Sequence, residues 1–225
     1  MLSFNIVKKN EIEKTYRVAH IMNDFDVQPE HSNEHFKGNV IIPDNWNIGV
    51  IVGNSGTGKS TIAKELFGDI LIDGFNYNAK SVIDDMPKSA SVDEITRMFY
   101  AVGFGSVPCW LKPYNVLSNG EKMRVDLARA LLERKLICFD EFTSVVDRDV
   151  AKTACIAVNK AIKRENKQFI AVSCHYDILD WLQPDWVFDT NDMTSFFGQS
   201  LDQHLNFKSE NAIGASGENL GVIII

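Results

Sequence analysis

The eight residues Gly53-Asn-Ser-Gly-Thr-Gly-Lys-Ser60 constrain the fold of this chain more than any other stretch. They match G-x-x-x-x-G-K-[ST], a pattern whose chemistry requires a β-strand before it and a helix after it. Both are present in outline. Residues 46–52 carry Ile48, Val50 and Ile51 in a short apolar run bounded by Gly53, which reads as a buried central strand. Residues 61–67 place Ile62, Leu66 and Phe67 on one helical face. Between them, glycines at 53, 56 and 58 let the backbone turn its N–H groups inward. Gly53, Asn54, Ser55, Gly56, Thr57, Gly58, Lys59, Ser60 and Thr61 thereby form an anion cradle at a helix N-terminus. Lys59 supplies a mobile charge for β- and γ-phosphates, and the Ser60 hydroxyl is a ligand for Mg²⁺.

Downstream, strands alternate with helices. Ser91-Val-Asp-Glu94 reads as a helix start, followed by Ile95, Met98, Phe99 and Val102 at helical spacing. Pro108 and Pro113 bracket an irregular segment, and residues 120–133 form an amphipathic helix. Residues 136–139 are a second apolar strand ending in Asp140-Glu141, residues 150–164 another helix, and residues 169–173 a third strand followed by His175. Upstream, residues 39–43 read as a strand stopped by Pro43, residues 31–35 as a polar loop, and residues 14–26 show a mixed pattern. The alternation predicts an α/β fold with a parallel sheet and its chemistry at the strand ends. There Asp140 would hold the Mg²⁺ shell, and Glu141 would orient and deprotonate the attacking water. A strand in the same sheet would bring His175 to that edge, although a lone histidine after a strand also reads as structural.

Composition bounds this reading. The 225 residues fit one domain, 1–225, with no repeat or linker. A net charge of −7 argues against a protein held on nucleic acid or anionic lipid by bulk charge, leaving room for a local basic patch. Cys109, Cys138, Cys155 and Cys174 have no paired spacing, the pattern of free thiols in a reducing, cytoplasmic setting. No stretch approaches the roughly 20 apolar residues of a membrane span.

A more specific feature is Leu117-Ser-Asn-Gly-Glu-Lys122, followed by Arg124, Leu127, Ala128 and Arg129. This resembles the signature L-S-G-G-Q and signature helix of ATP-binding cassette (ABC) ATPases. The phosphate loop, Asp140-Glu141, a D-loop-like Ser144-Val-Val-Asp147 and a switch histidine at His175 fall in that family's order. The resemblance covers roughly residues 46–180. Val102-Gly-Phe, Trp110-Leu-Lys-Pro113 and the run from Phe142 to Arg148 look like a group of soluble bacterial and phage members.

The resemblance implies a P-loop NTPase head with a parallel core sheet, an antiparallel β portion and a helical subdomain shortened to residues 68–117. It implies ATP and Mg²⁺ as ligands and a head-to-tail homodimer across the nucleotide. Ser118, Asn119, Gly120 and Asp147 of one copy would then contact the nucleotide held by Lys59 of the other, while Glu141 drives hydrolysis and His175 senses the γ-phosphate.

Departures from the family are informative. No glutamine stands at the Q-loop, and Asp85 or Asp84 is the nearest candidate for its metal contact. Asn119 replaces a glycine and Glu121 the glutamine of the signature, and Tyr16 or Phe25 is the candidate for the ring that stacks on adenine, each with a core reading beside it. The short interval from Lys59 to Ser118 favours a soluble ATPase driving an unidentified protein or nucleic-acid partner. A transporter's nucleotide-binding subunit and a nucleic-acid-associated ATPase are the alternatives. Residues 191–225 fit none of the motifs, and Gly221-Val-Ile-Ile-Ile225 reads as a last edge strand or a docking strand for a partner.

Overall fold

Strands that are apolar along their whole length must be covered on both faces, and the computed structural model shows how this is done. It describes residues 1–9, 12–13, 15–27, 33–72 and 74–203. In chain order the elements are β1 (Leu2–Lys8), α1 (Tyr16–Asp24), β2 (Glu34–Val40), β3 (Ile48–Val52), α2 (Lys59–Phe67), β4 (Leu71–Ile72), α3 (Val92–Ala101), α4 (Val107–Trp110), α5 (Asn119–Glu133), β5 (Leu136–Phe139), α6 (Arg148–Glu165), β6 (Gln168–Ser173), α7 (Ile178–Leu182), β7 (Trp186–Asp189) and β8 (Thr194–Phe197). Six strands form a sheet in the order β4-β5-β6-β3-β7-β8, parallel except for β8. The expected antiparallel portion is the separate pair β1-β2 together with β8, which pairs with β7 at the edge of the six-stranded sheet.

Side chains alternate across a strand, so each central strand feeds two cores. Ile48, Val50, Val52, Ile137, Phe139, Phe169, Ala171 and Val187 point into one core, which α3, α5, α6 and α7 close with Phe99, Leu127, Leu131, Val158 and Ile178. Ile51, Cys138, Ile170, Val172, Trp186 and Phe188 point to the other, closed by α2 and the β1-β2 pair through Ile62, Phe67, Phe4, Phe36 and Val40. Gly49 belongs to this second face. A Cβ there would lie 2.1 Å from the indole of the fully buried Trp186, so the missing side chain of one strand is filled by the large one of its neighbour.

Several expectations need correction. The strand read at residues 39–43 is the end of β2, which begins at Glu34, within the supposed polar loop. Phe36 and Val40 are buried while His35, Lys37 and Asn39 are exposed, an alternation too short to register beside the surrounding polar residues. The mixed segment is α1, capped by the Thr15 side chain on Val18 N–H, and none of its residues is buried. Tyr16 and Phe25 are therefore not core residues; they are 83% and 70% exposed. The stretch 68–117 is not wholly a helical insert, because β4 adds two residues to the core sheet before the chain leaves for α3 and α4. Among the described residues the sheet's last strand is Thr194–Phe197, and the apolar run at 221–225 lies outside them.

Gly49→Val forces two branches into the Trp186 ring. Overpacking of this kind costs roughly 1–3 kcal/mol or more, so urea unfolding should show a loss at the top of that range. Trp186→Leu in the Gly49→Val background should recover part of it.

Candidate active site

The phosphate loop sits where β3 ends and α2 begins, and its shape depends on two close approaches. Gly58, the residue before α2, has φ +86°, and a Cβ there would meet the Phe36 ring at 2.5 Å. Only glycine satisfies both the left-handed backbone and the ring beneath it. Gly53 has φ +157°, and a Cβ would lie 2.1 Å from the Thr190 hydroxyl. Within the loop the Asn54 carbonyl accepts from the Thr57 hydroxyl at 2.9 Å and from Lys59 Nζ at 2.7 Å. Lys59 is buried, so its ammonium is held over the cradle with two further protons to offer an anion.

The acidic pair converges on this loop. The Ser60 hydroxyl donates to Asp140 Oδ1 at 3.0 Å, and the same oxygen accepts the Glu141 N–H at 2.9 Å. Asp140 is positioned by its own N–H on the Ile72 carbonyl at the end of β4. Glu141 is exposed and has φ +51°, a kink that sends its carboxylate outward while Phe142 N–H returns to the Val172 carbonyl of β6 at 2.8 Å. A cavity of about 220 Å³ lies over the loop, lined by Lys59, Ser60, Glu141, Ser55, Lys8 and Glu34 among others. Neither Tyr16 nor Phe25 lines it; the residues reaching it from the N-terminal hairpin are Lys8, Glu34 and Phe36.

Asp85 does not join this cluster. Its carboxylate accepts the N–H groups of Asn78 and Ala79 at 3.0–3.1 Å, and it lines none of the cavities around Ser60 and Asp140. Asp84 accepts from Ser81 in the same turn. Linear nearness to the missing glutamine misled here, because the turn's own amides need those acceptors. Ser60 and Asp140 remain as a hydroxyl and a carboxylate side by side, hard oxygen donors that fit Mg²⁺. Among the described residues no group of three or more His, Cys, Asp or Glu gathers.

His175 follows β6, half-buried, with its N–H on the Ser173 hydroxyl at 3.2 Å. The residue after it carries a network that the sequence reading missed. Tyr176 Oη donates to the buried Asp189 carboxylate at 2.8–2.9 Å and accepts from Asn191 Nδ2 at 2.7 Å. Asn191 Oδ1 in turn accepts the Asn54 N–H at 3.1 Å. Thr190 adds a hydroxyl contact to Thr57 at 2.5 Å. Burial, then the bond to Asp189, raises the Tyr176 pKa, which keeps its proton in place to donate. The segment after β6 and the phosphate loop are thus joined through the end of β7. Single polar residues after a strand carry no motif, so only the fold reveals them.

The signature forms the start of α5. Ser118 is its N-cap: its hydroxyl accepts the Glu121 N–H at 3.3 Å, while the Glu121 carboxylate accepts from the Ser118 N–H at 2.9 Å and hydroxyl at 2.8 Å. The glutamate that replaces the expected glutamine therefore completes a capping box. Ser118 and Asn119 are exposed, and Gly120 packs so closely on the first turn of α6 that a Cβ would lie 3.1 Å from Val150. Asp147 caps that helix by accepting the Val150 N–H at 2.9 Å. None of Ser118, Asn119, Gly120 and Asp147 lines the cavity over the phosphate loop of its own chain. Cys109, Cys138 and Cys155 are buried thiols, and burial pushes Cys155 up to about 12, which keeps it an inert thiol at neutral pH.

No family model matches the chain. It is similar to the energy-coupling factor transporter ATP-binding protein EcfA1 of Staphylococcus aureus: 27% identity to the strain USA300 protein over 187 residues, 65% of this chain and 68% of the relative. The MW2 protein is 28% identical over the same share. The fold is similar to that of MJ0796, a bacterial ABC transporter cassette solved as a dimer, with a TM-score of 0.54 and 15% identity over 71% of this chain and 89% of that one. The post-hydrolysis dimer of MJ0796 bound to ADP and Pi gives 0.58 and 14% over 83% and 92%. For cbiO1 of Clostridium perfringens, part of the ABC transporter complex cbiONQ, the TM-score is 0.58 at 17% identity over 83% and 88%. The chain has the fold of an ABC cassette. Among the described residues, no helix is long and apolar enough to cross a membrane.

Two predictions concern its ground state. Asn191→Ala removes the acceptor for Asn54 N–H, so nucleotide affinity should fall about three- to tenfold, the worth of one hydrogen bond of roughly 0.5–1.5 kcal/mol, as read by fluorescent-nucleotide titration. Glu121 is held below the usual carboxylate range, chiefly by the Ser118 N–H, so its contribution is complete above the unfolded pKa of about 4.3 and lost as pH falls through the lowered folded value. Amide exchange at residues 118–122 should accelerate in acid relative to the rest of α5, and Glu121→Gln should remove that pH dependence.

Proposed function

We propose that two copies of this cassette close head to tail on two Mg·ATP, the phosphate loop of each facing the signature of the other, and that hydrolysis reopens them. The observation that carries this reading is that residues 118–120 stand at an exposed helix start and do not line the phosphate cavity of their own chain. A nucleotide in the phosphate cavity of the same chain does not reach this helix start, and one presented by a second copy can.

In this arrangement Lys59 and the inward N–H groups of the loop bind the β- and γ-phosphates. Ser60 and Asp140 would hold Mg²⁺, which neutralises charge on the phosphate oxygens when bound. Glu141, exposed on its kinked backbone, accepts a proton from the attacking water, and His175 at the neighbouring strand end reads the γ-phosphate. Loss of that phosphate removes the contact shared by both copies, and the pair separates.

The relatives favour a transporter as the load, since EcfA1 is an ATP-binding protein of a transporter and cbiO1 is part of a transporter complex. The cassette then works beside a membrane partner on another chain. One observation favours a soluble load as the second reading. Between β4 and the signature the α-helices are α3, of ten residues, and α4, of four, which offer little surface for a membrane subunit.

Glu141→Gln protein with ATP and Mg²⁺ should elute as a dimer and hydrolyse about 10²–10⁴-fold more slowly than the parent, the range for loss of a general base. A persistent monomer at saturating ATP would sink the sandwich. Lys59→Ala should lower ATP affinity by about a hundredfold or more, since two charge-assisted bonds are lost. Ser118→Arg should leave binding by the monomer intact and block hydrolysis. Affinity capture by ATP-locked Glu141→Gln protein from detergent-solubilised membranes and from the soluble fraction separates the two loads; an integral membrane partner supports the transporter.

A further inference from the structure

The loop leaving β4 and the signature helix are tied together by a cluster that neither the motifs nor the comparisons assign. Asp126 of α5, two turns beyond the signature, accepts hydrogen bonds from two phenols: Tyr77 Oη to Oδ1 at 2.8 Å and Tyr114 Oη to Oδ2 at 2.7 Å. The two rings stack face to face, with centroids 3.9 Å apart and planes 6° apart. One helical turn on, the Arg129 guanidinium lies over Phe75 and Tyr77 at 4.8 and 5.1 Å and donates to the Asn76 carbonyl at 2.9 Å. The loop residues 75–77 are thereby fixed to α5 by a carboxylate, two stacked rings and a cation. Burial raises the pKa of Asp126, and burial together with Asp126 raises those of both phenols, so the phenols stay donors whatever the charge on the carboxylate.

Position gives this cluster its meaning. Ile72, at the end of β4, holds Asp140 through its carbonyl, so the same segment that is clamped to α5 also supports the acidic pair. A cavity of about 320 Å³ is lined by Tyr114, Asn119 and Asp126 together with Asp140 and Glu141. The clamp holds the loop after β4 against α5 beside this cavity, with Tyr114 and Asp126 in its lining. Resting on the sandwich reading above, we propose that Asp126, Tyr77 and Tyr114 are positioning residues that set the distance between the signature and the acidic pair, and so decide how well two copies close on ATP. None of the three touches the phosphate loop's cavity, so nucleotide binding by one copy does not depend on them.

The test uses the full chain in the Glu141→Gln background. Asp126→Ala and the double variant Tyr77→Phe/Tyr114→Phe, which keeps both rings and their stack, are compared with the parent for ATP binding by fluorescence and for ATP-driven dimerisation by sedimentation. Affinity for ATP under dilute, monomeric conditions should change less than twofold, while the dimer dissociation constant should rise tenfold or more. Asp126→Asn, which keeps an acceptor oxygen, should recover at least half of that change. With Glu141 restored, kcat should fall about tenfold for Asp126→Ala and KM less than twofold, a split that a general loss of folded protein would not produce. Should Asp126→Ala fail to fold, the double phenylalanine variant decides the matter. If the parent dimerises and that variant closes equally well, the clamp is overturned while the sandwich stands. If ATP binding falls as far as dimerisation does, the positioning role is likewise overturned. A parent that stays monomeric overturns the sandwich and the clamp's part in it together.

Discussion

The site exists because β3 is hydrogen-bonded on both sides to strands running the same way. Val52 pairs with Ser173 on one side and Asp189 on the other, so the chain segments that follow β3, β6 and β7 all leave from one edge of the sheet. β5 reaches that edge one strand further out. Parallel pairing requires a crossover between each pair of strands, and those crossovers supply the helices that cover both faces. Asp140, Glu141, His175 and the polar network under the loop are therefore placed by backbone pairing, before any side chain contributes. Side chains then refine the edge: Thr190 sits under Gly53, Phe36 under Gly58, and Asn54 is held from both sides.

At the end of β7 the buried polar residues Asp189 and Thr190 have partners. Asp189 is fully buried, which would be costly for an unpaired charge, and it is matched by the Tyr176 hydroxyl and the Asn191 N–H. The same network hands its last acceptor to the phosphate loop, so the stability of the β7 end and the shape of the cradle are one property. A different compromise appears just after the acidic pair. Glu141 and Thr143 both adopt positive φ, at 51° and 67°, and a β-branched residue there is strained by roughly 1–3 kcal/mol. The strain accompanies a chain that turns Glu141 out to solvent while burying Phe142 and Thr143 on either side of its own backbone.

Much of this was legible from residues alone because its signals are local. The strand, loop and helix around Lys59 follow from apolar spacing and glycines within fifteen residues, and the helix cap at Ser91 is written in the four residues that form it, whereas the cap at Ser118 emerged only with the structure. The hairpin β1-β2 was not legible. Its strands are separated by α1, a helix with no buried face, and β2 shows its inward positions only at Phe36 and Val40. β4 has two residues, too few for any periodicity. Asp85 illustrates the limit of linear reasoning: a carboxylate at a suitable sequence distance was already engaged by the amides of its own turn. Tyr77, Tyr114 and Asp126 meet only because α5 folds back along the loop after β4, and nothing in their spacing announces it.

The fit of Gly49 against Trp186 has a bearing on how relatives of this chain can diverge. The two positions lie on adjacent strands at paired register, and between them they fill one volume with a single large side chain. Substitutions there are not independent: a lineage that loses the tryptophan leaves a hole that only a larger residue at 49 repairs, and one that gains bulk at 49 must first lose the ring. An alignment of homologues should therefore show these columns changing together, with the sum of their side-chain volumes held nearly constant while each alone varies widely.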